Sequence, residues 1–151
     1  MTITDVAMVA ADTTRTRYYL YQLIKNDLLP GYILLLLNSD KELLPGQKNS
    51  TAETGIIQLL DNIKIKYDIA PNGNINSPEV VSLISSRAEQ VFIFSGFGGA
   101  LLRNNILSIG KKFLHVHGGY LPEYKGSTTN YYSLIDENTI GASSIFLTKE
   151  I

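Results

Sequence analysis

Residues 33–37 read Ile-Leu-Leu-Leu-Leu with no polar interruption. A strand with one wet face alternates apolar and polar positions, so an unbroken apolar run marks a strand covered on both faces, as in a parallel sheet between helical layers. Even counted from Tyr32, the run is far short of the roughly 20 residues that cross a bilayer. It also dictates what must surround it, namely neighbouring strands on either side and helices above and below.

The rest of the chain supplies those elements by alternating two hydrophobic periods, the signature of an α/β domain. Residues 6–10 form a first predicted strand. Leu20, Leu23, Ile24 and Leu28 then mark one helical face, with Pro30-Gly31 expected to stop the helix. Residues 41–48 are polar, with a turn at Pro45-Gly46, and residues 50–53 have capping-box spacing ahead of Ile56, Leu59, Leu60 and Ile63. A short strand is expected over 65–69. Ser77-Pro78-Glu79 suits an N-cap, a first helical residue and a favourable first-turn charge before Val80, Leu83, Ile84 and Ala88. Further strands are expected over 91–94, 113–117 and 142–148, with helices over 101–107 and 127–135. The sum is a doubly wound, mainly parallel sheet, whose ligands bind beyond the carboxyl ends of the strands.

Composition narrows the class. With 151 residues, 44 % of them apolar and none cysteine, one domain over 1–151 has enough material for a core and needs no disulfides. Thirteen basic against fourteen acidic residues leave a net charge of −1, so there is no broad basic field and nucleic acid is disfavoured as a partner. The start of the chain lacks the charged and apolar regions of a secretory signal. The expectation is a cytoplasmic protein without a membrane partner.

Two groups of residues are suited to chemistry. Gly96, Gly98 and Gly99 sit between a strand and a helix, but the third glycine of the dinucleotide fingerprint is replaced by Leu101, and no acidic ribose ligand follows about 20 residues later. The dinucleotide reading is therefore weak, leaving a tight turn or a flat apolar ligand lying against bare backbone. The two histidines, His115 and His117, are one residue apart in a strand and so share a face near its carboxyl end. A structural pair is one reading. A metal site is disfavoured, because the nearby Glu123, Asp136 and Glu137 have no recognised ligand spacing. General acid/base or oxyanion-stabilising work fits better, since a neutral imidazole has an N–H to donate to a developing oxyanion.

The segment from His117 through Gly118, Gly119, Tyr120, Leu121 and Pro122 to Gly126 resembles the signature of the formyltransferase family, Asn-x-His-Pro-Ser-x-Leu-Pro followed by Gly. Gly96-Phe97 with Leu101 resembles the strand-end segment of the glycinamide ribonucleotide formyltransferases, and Gly141-Ala142-Ser143 the start of their late strand. The resemblance covers residues 91–151; before that it is one of architecture. It implies a Rossmann-like formyltransferase domain that moves a formyl group from 10-formyltetrahydrofolate to a small-molecule amine. His117 matches the family histidine, and His115 stands where the family has Asn. The folate is expected against Phe97, Gly98, Gly99, Ala100, Leu101 and Leu102, and the acceptor near Gly118, Gly119 and Tyr120.

The family aspartate would fall one residue beyond Ile151 when Gly141 is aligned with the family glycine, so the reading expects a C-terminal portion beyond this sequence. Arg15 and Arg17, at the start of the first helix, are candidates to hold a phosphate, which makes a nucleotide-linked amino sugar the expected acceptor. The alternative is that Asp12 or Thr13 caps the helix and both arginines are solvated. Tyr120, Tyr124, Tyr131 and Tyr132 are candidates to stack on a sugar or base, and Ser127, Thr128 and Thr129 to bond ligand hydroxyls. Two other functions share the cleft: a non-catalytic ligand-binding relative, and a folate deformylase in which water replaces the amine.

Overall fold

The computed structural model describes residues 1–37, 51–126 and 128–149. Six strands form one sheet: β1 (Thr2–Ala11), β2 (Leu29–Leu36), β3 (Tyr67–Ile69), β4 (Val91–Ser95), β5 (Lys112–His117) and β6 (Ser143–Phe146). Their spatial order is β3-β2-β1-β4-β5-β6, parallel throughout except for β6, which runs antiparallel to β5. Between the strands run α1 (Thr14–Lys25), α2 (Thr51–Asn62), α3 (Pro78–Ser85), α4 (Asn104–Leu107) and α5 (Thr129–Glu137).

The apolar run of β2 is divided between two cores by the two-residue strand period. Tyr32, Leu34 and Leu36 face one layer with Val80 and Ile84 of α3 and Ile106 of α4. Ile33 and Leu35 face the other, with Leu20 of α1 and Ile56 and Leu60 of α2. β1 splits the same way, Ala7, Val9 and Ala11 against Met8 and Ala10. The small side chains of Ala7, Ala10 and Ala11 leave room for the layers on either face. This is the doubly wound arrangement that the unbroken run requires.

Several local expectations shift. Pro30-Gly31 does not stop the first helix. That helix ends at Lys25, where the Asn26 side chain bonds back to the Gln22 carbonyl and Asp27 takes a left-handed conformation (φ 54°). Leu28 is thus outside the helix, and Pro30-Gly31 belongs to the start of β2. There the missing N–H of proline falls beside a register shift between β1 and β2, one of the few places a ladder tolerates it. A Cβ on Gly31 would lie 3.2 Å from the Thr4 backbone, so glycine allows the two strands to close. The helix expected from residue 101 begins only at Asn104. Ser77 caps α3 as expected, accepting from the Val80 N–H at 3.3 Å with Pro78 first in the helix. The polar stretch 41–48, Ser50 of the capping box and Ser127 lie outside the described residues.

Candidate active site

The chain leaves β1 to one side of the sheet and returns to β4 on the other, so the carboxyl ends of these adjacent strands form the switch point at which doubly wound sheets bind ligands. A cleft of about 1240 Å³ opens there. Its walls come from the start of α1, the segment after β4, the end of β5 with its following loop, the start of α5, and β6.

Each wall is fixed by contacts far apart in sequence. The buried Thr16 hydroxyl lies 2.8 Å from that of Ser95, tying the first turn of α1 to the end of β4, while Thr13 caps the helix through the Thr16 N–H. Arg15 is thereby brought to the cleft, where its guanidinium donates to the Gly96 carbonyl at 2.5 Å. Behind β5, the Ser143 hydroxyl donates to the Gly119 carbonyl (2.8 Å) and accepts from the Leu121 N–H (3.0 Å), holding the loop after the histidines.

Both histidines line the cleft and are partly buried. His117 Nε2 is 2.7 Å from the Tyr124 carbonyl, and His115 Nδ1 is 3.3 Å from the Phe94 carbonyl. A carbonyl oxygen only accepts, so in each ring the facing nitrogen carries the hydrogen. The expectation of a neutral imidazole with a spare N–H is corrected: neutral His115 and His117 have already committed their hydrogens to backbone oxygens and offer lone pairs. Burial is the main cause holding the His115 pKa below its usual value, reinforced by Arg15 and His117 and opposed by the Phe94 carbonyl.

The other wall is apolar. Phe97, Ala100, Leu101 and Leu102 line it together with Gly98 and Gly99. A Cβ built on Gly98 meets nothing within 4 Å, so the backbone there is bare toward open space. Gly99 has φ +78°, a conformation that itself favours glycine. Gly96 is required by packing, since a Cβ would come within 2.4 Å of the Phe94 ring.

No protein-family profile matches the chain. Over 88 residues, 58 % of the chain, it is 25 % identical to a methionyl-tRNA formyltransferase of Finegoldia magna, the match spanning 28 % of that protein. Among solved structures, a phosphoribosylglycinamide formyltransferase of Anaplasma phagocytophilum superimposes with a TM-score of 0.64 at 10 % identity, covering 97 % of this chain and 65 % of the other. A sugar N-formyltransferase of Shewanella sp. gives 0.59 at 12 % identity, covering 97 % and 52 %. The chain is similar to formyltransferases in sequence over those 88 residues and in fold over nearly its whole length. Its Rossmann-like sheet is theirs, over less than two thirds of the length of these relatives.

Of the residues singled out by the formyltransferase signature, His117, Gly118, Leu121, Pro122 and Gly126 line the cleft, whereas Gly119 and Tyr120 do not. Gly119 is buried where a Cβ would lie 2.7 Å from Thr129 Oγ1, and the Tyr120 ring packs over Gly141, leaving 2.4 Å for a Cβ there. Both therefore shape the loop. Arg17 does not line the cleft: its guanidinium is paired with Asp12 at 2.8 Å and lies against Gly55 of α2. Among the tyrosines considered, Tyr131 lines the cleft, and Tyr120, Tyr124 and Tyr132 do not. Thr128 and Thr129 are in its wall.

Sequence reasoning missed Tyr19 and Asn130. Tyr19 belongs to α1 and reaches the cleft with its hydroxyl turned toward the Val116 carbonyl at 3.4 Å. Burial raises its pKa, keeping the phenol protonated. Asn130 Oδ1 is a buried acceptor with no partner among the described residues. Its side chain sits beside Gly118, where a Cβ would lie 3.2 Å from Nδ2. No spacing in the sequence marks either residue, since both reach the cleft only through packing.

Proposed function

We propose that this chain is a formyl-transfer domain that uses 10-formyltetrahydrofolate as donor and a small-molecule amine as acceptor. The observation that carries the reading is the juxtaposition, in one cleft at the switch point, of two strand-end imidazoles with an apolar wall of bare backbone. The wall fits a pterin, which needs a flat apolar surface and a close approach to main-chain groups. Bound there, the folate supplies an activated formyl carbon.

The chain's own residues supply the rest. His115 and His117 present lone pairs to the amine N–H groups and orient the nucleophile. His117 becomes a donor to a developing oxyanion once its Nδ1 is protonated or its Nε2 leaves the Tyr124 carbonyl. The apolar segment 97–102, covered by a bound pterin, would oppose hydrolysis at the reacting centre. Asn130 Oδ1 offers an acceptor to a hydrogen-bond donor on the ligand, which would relieve the roughly 1–3 kcal/mol that an orphaned buried acceptor costs.

A nucleotide-linked amino sugar is the acceptor we favour. The cleft is large for one small ligand, exceeding the roughly 300–1,000 Å³ common for such sites. It combines the Arg15 cation with Tyr131 as a stacking surface. The test is to incubate the protein with 10-formyltetrahydrofolate and, in parallel, a nucleoside-diphosphate amino sugar, glycinamide ribonucleotide, methionyl-tRNA or no amine. Formylated amino sugar with stoichiometric tetrahydrofolate is the expected outcome. Formate release independent of any amine would replace this reading with hydrolysis, and folate binding without turnover would replace it with a binding module.

A further inference from the structure

We infer that His115 is the base that takes the proton from the attacking amine, an inference that rests on the formyl-transfer reading above. Its ring is fixed by its surroundings. β5 lies between β4 and β6, and His115 pairs in register with Ile145 while its Nδ1 faces the Phe94 carbonyl at 3.3 Å. The hydrogen on Nδ1 leaves Nε2 of the neutral ring as a lone pair.

That lone pair is accessible. Nε2 has no hydrogen-bond partner among the described residues, and among them the one buried, partnerless side-chain polar atom is Asn130 Oδ1, so Nε2 is open to solvent on a residue that lines the cleft. The charged or titratable groups facing the ring are Arg15 from α1 and His117 from its own strand, and both oppose a second proton. The Phe94 carbonyl on β4 favours it, and β6 contributes uncharged Ile145. Burial outweighs the carbonyl. An Asn side chain at this position has no comparable basic nitrogen.

The chemistry balances around this one site. The amine nitrogen forms a bond to the formyl carbon and the bond from that carbon to folate N10 breaks. One proton leaves the amine and one must reach N10. His115 Nε2 accepts the first, and the imidazolium so formed returns a proton to N10, directly or through water, restoring the free base.

Two measurements test the assignment. In the ligand-free protein, histidine ring nitrogen shifts read by NMR at pH 7 should show His115 protonated on Nδ1 and bare on Nε2. A ring protonated on Nε2 would overturn the proposal. In the formyl-transfer assay, His115→Asn and His115→Ala should lose about 10²- to 10⁴-fold in kcat/KM, with folate affinity by calorimetry unchanged. The acid limb of the pH profile should disappear, and added imidazole should partly restore His115→Ala. Wild-type rate and pH profile in His115→Asn would sink the role of His115 while leaving formyl transfer intact. Absence of transfer by the wild type to every amine, with the ring protonated as expected, would sink the formyl-transfer reading and this role along with it.

Discussion

Gly96 and Gly98 are two residues apart and glycine for opposite reasons. A Cβ at Gly96 collides with the Phe94 ring, whereas one at Gly98 projects into empty space. Gly96→Ala should therefore destabilise the fold by about 1–3 kcal/mol, the usual range for overpacking, as measured by urea denaturation. Gly98→Ala should leave the denaturation midpoint nearly unchanged and weaken binding of a folate analogue in calorimetry. Equal binding by the two proteins would remove the segment 97–102 from the donor site. His115 gives a pH prediction with a definite sign. Its folded pKa is below the ordinary 6.5, so the unfolded chain binds its proton first as the pH falls. The resulting stability is present above about pH 6.5 and is lost through the acidic side of that value. His115→Asn should flatten that part of the stability curve. Glu89, whose carboxyl is held low chiefly by its hydrogen bonds to Arg87, loses its contribution in more acidic solution, below its ordinary 4.5.

At the scale of elements, α3 carries three local signals of a helix start, with Ser77 as cap, Pro78 first and Glu79 in the first turn. Ser77→Ala should cost about 1 kcal/mol, visible as a shift in midpoint without a change in slope. Truncating Ile84, fully buried against the sheet on the same helix, should cost about 2–5 kcal/mol because it leaves a cavity. The element boundaries that sequence patterns misplaced have two causes, one local and one tertiary. Leu28 continues the helical spacing of α1 but lies beyond Asn26 and Asp27, whose side chain and left-handed backbone end the helix. Pro30-Gly31 carries a turn signal that the neighbouring strand β1 overrides, since a Cβ on Gly31 would lie only 3.2 Å from the Thr4 backbone.

For the whole molecule, the sheet order makes β1 the hub, paired on both sides by β2 and β4 and covered on both faces. Amide hydrogen exchange should be slowest in β1 and in the central residues of β2 and β4, and fastest in the edge strands β3 and β6. Comparable protection in β6 and β1 would contradict a sheet organised around that hub. The same order creates the cleft: because β1 and β4 are neighbours whose connections lead to opposite faces, those connections part beyond the strand ends, and α1 and the segment after β4 become its walls.

By itself the sequence determined the alternation of strand and helix, the two-sided burial of residues 33–37, the cap of α3 and the placement of both histidines on one face at a strand end. Each of these depends on residues within a few positions of one another, where backbone periodicity converts spacing directly into direction. Only the tertiary structure decided which ring nitrogens carry hydrogen, that Arg15 reaches the cleft while Arg17 pairs with Asp12, that Gly119 and Tyr120 serve the loop, and that Asn130 waits with an unmatched oxygen. His115 meets Phe94 and Arg15 meets Gly96 across 21 and 81 positions of chain. The direction in which a polar side chain spends its hydrogen bonds is set by whichever distant backbone the packing of the sheet brings beside it.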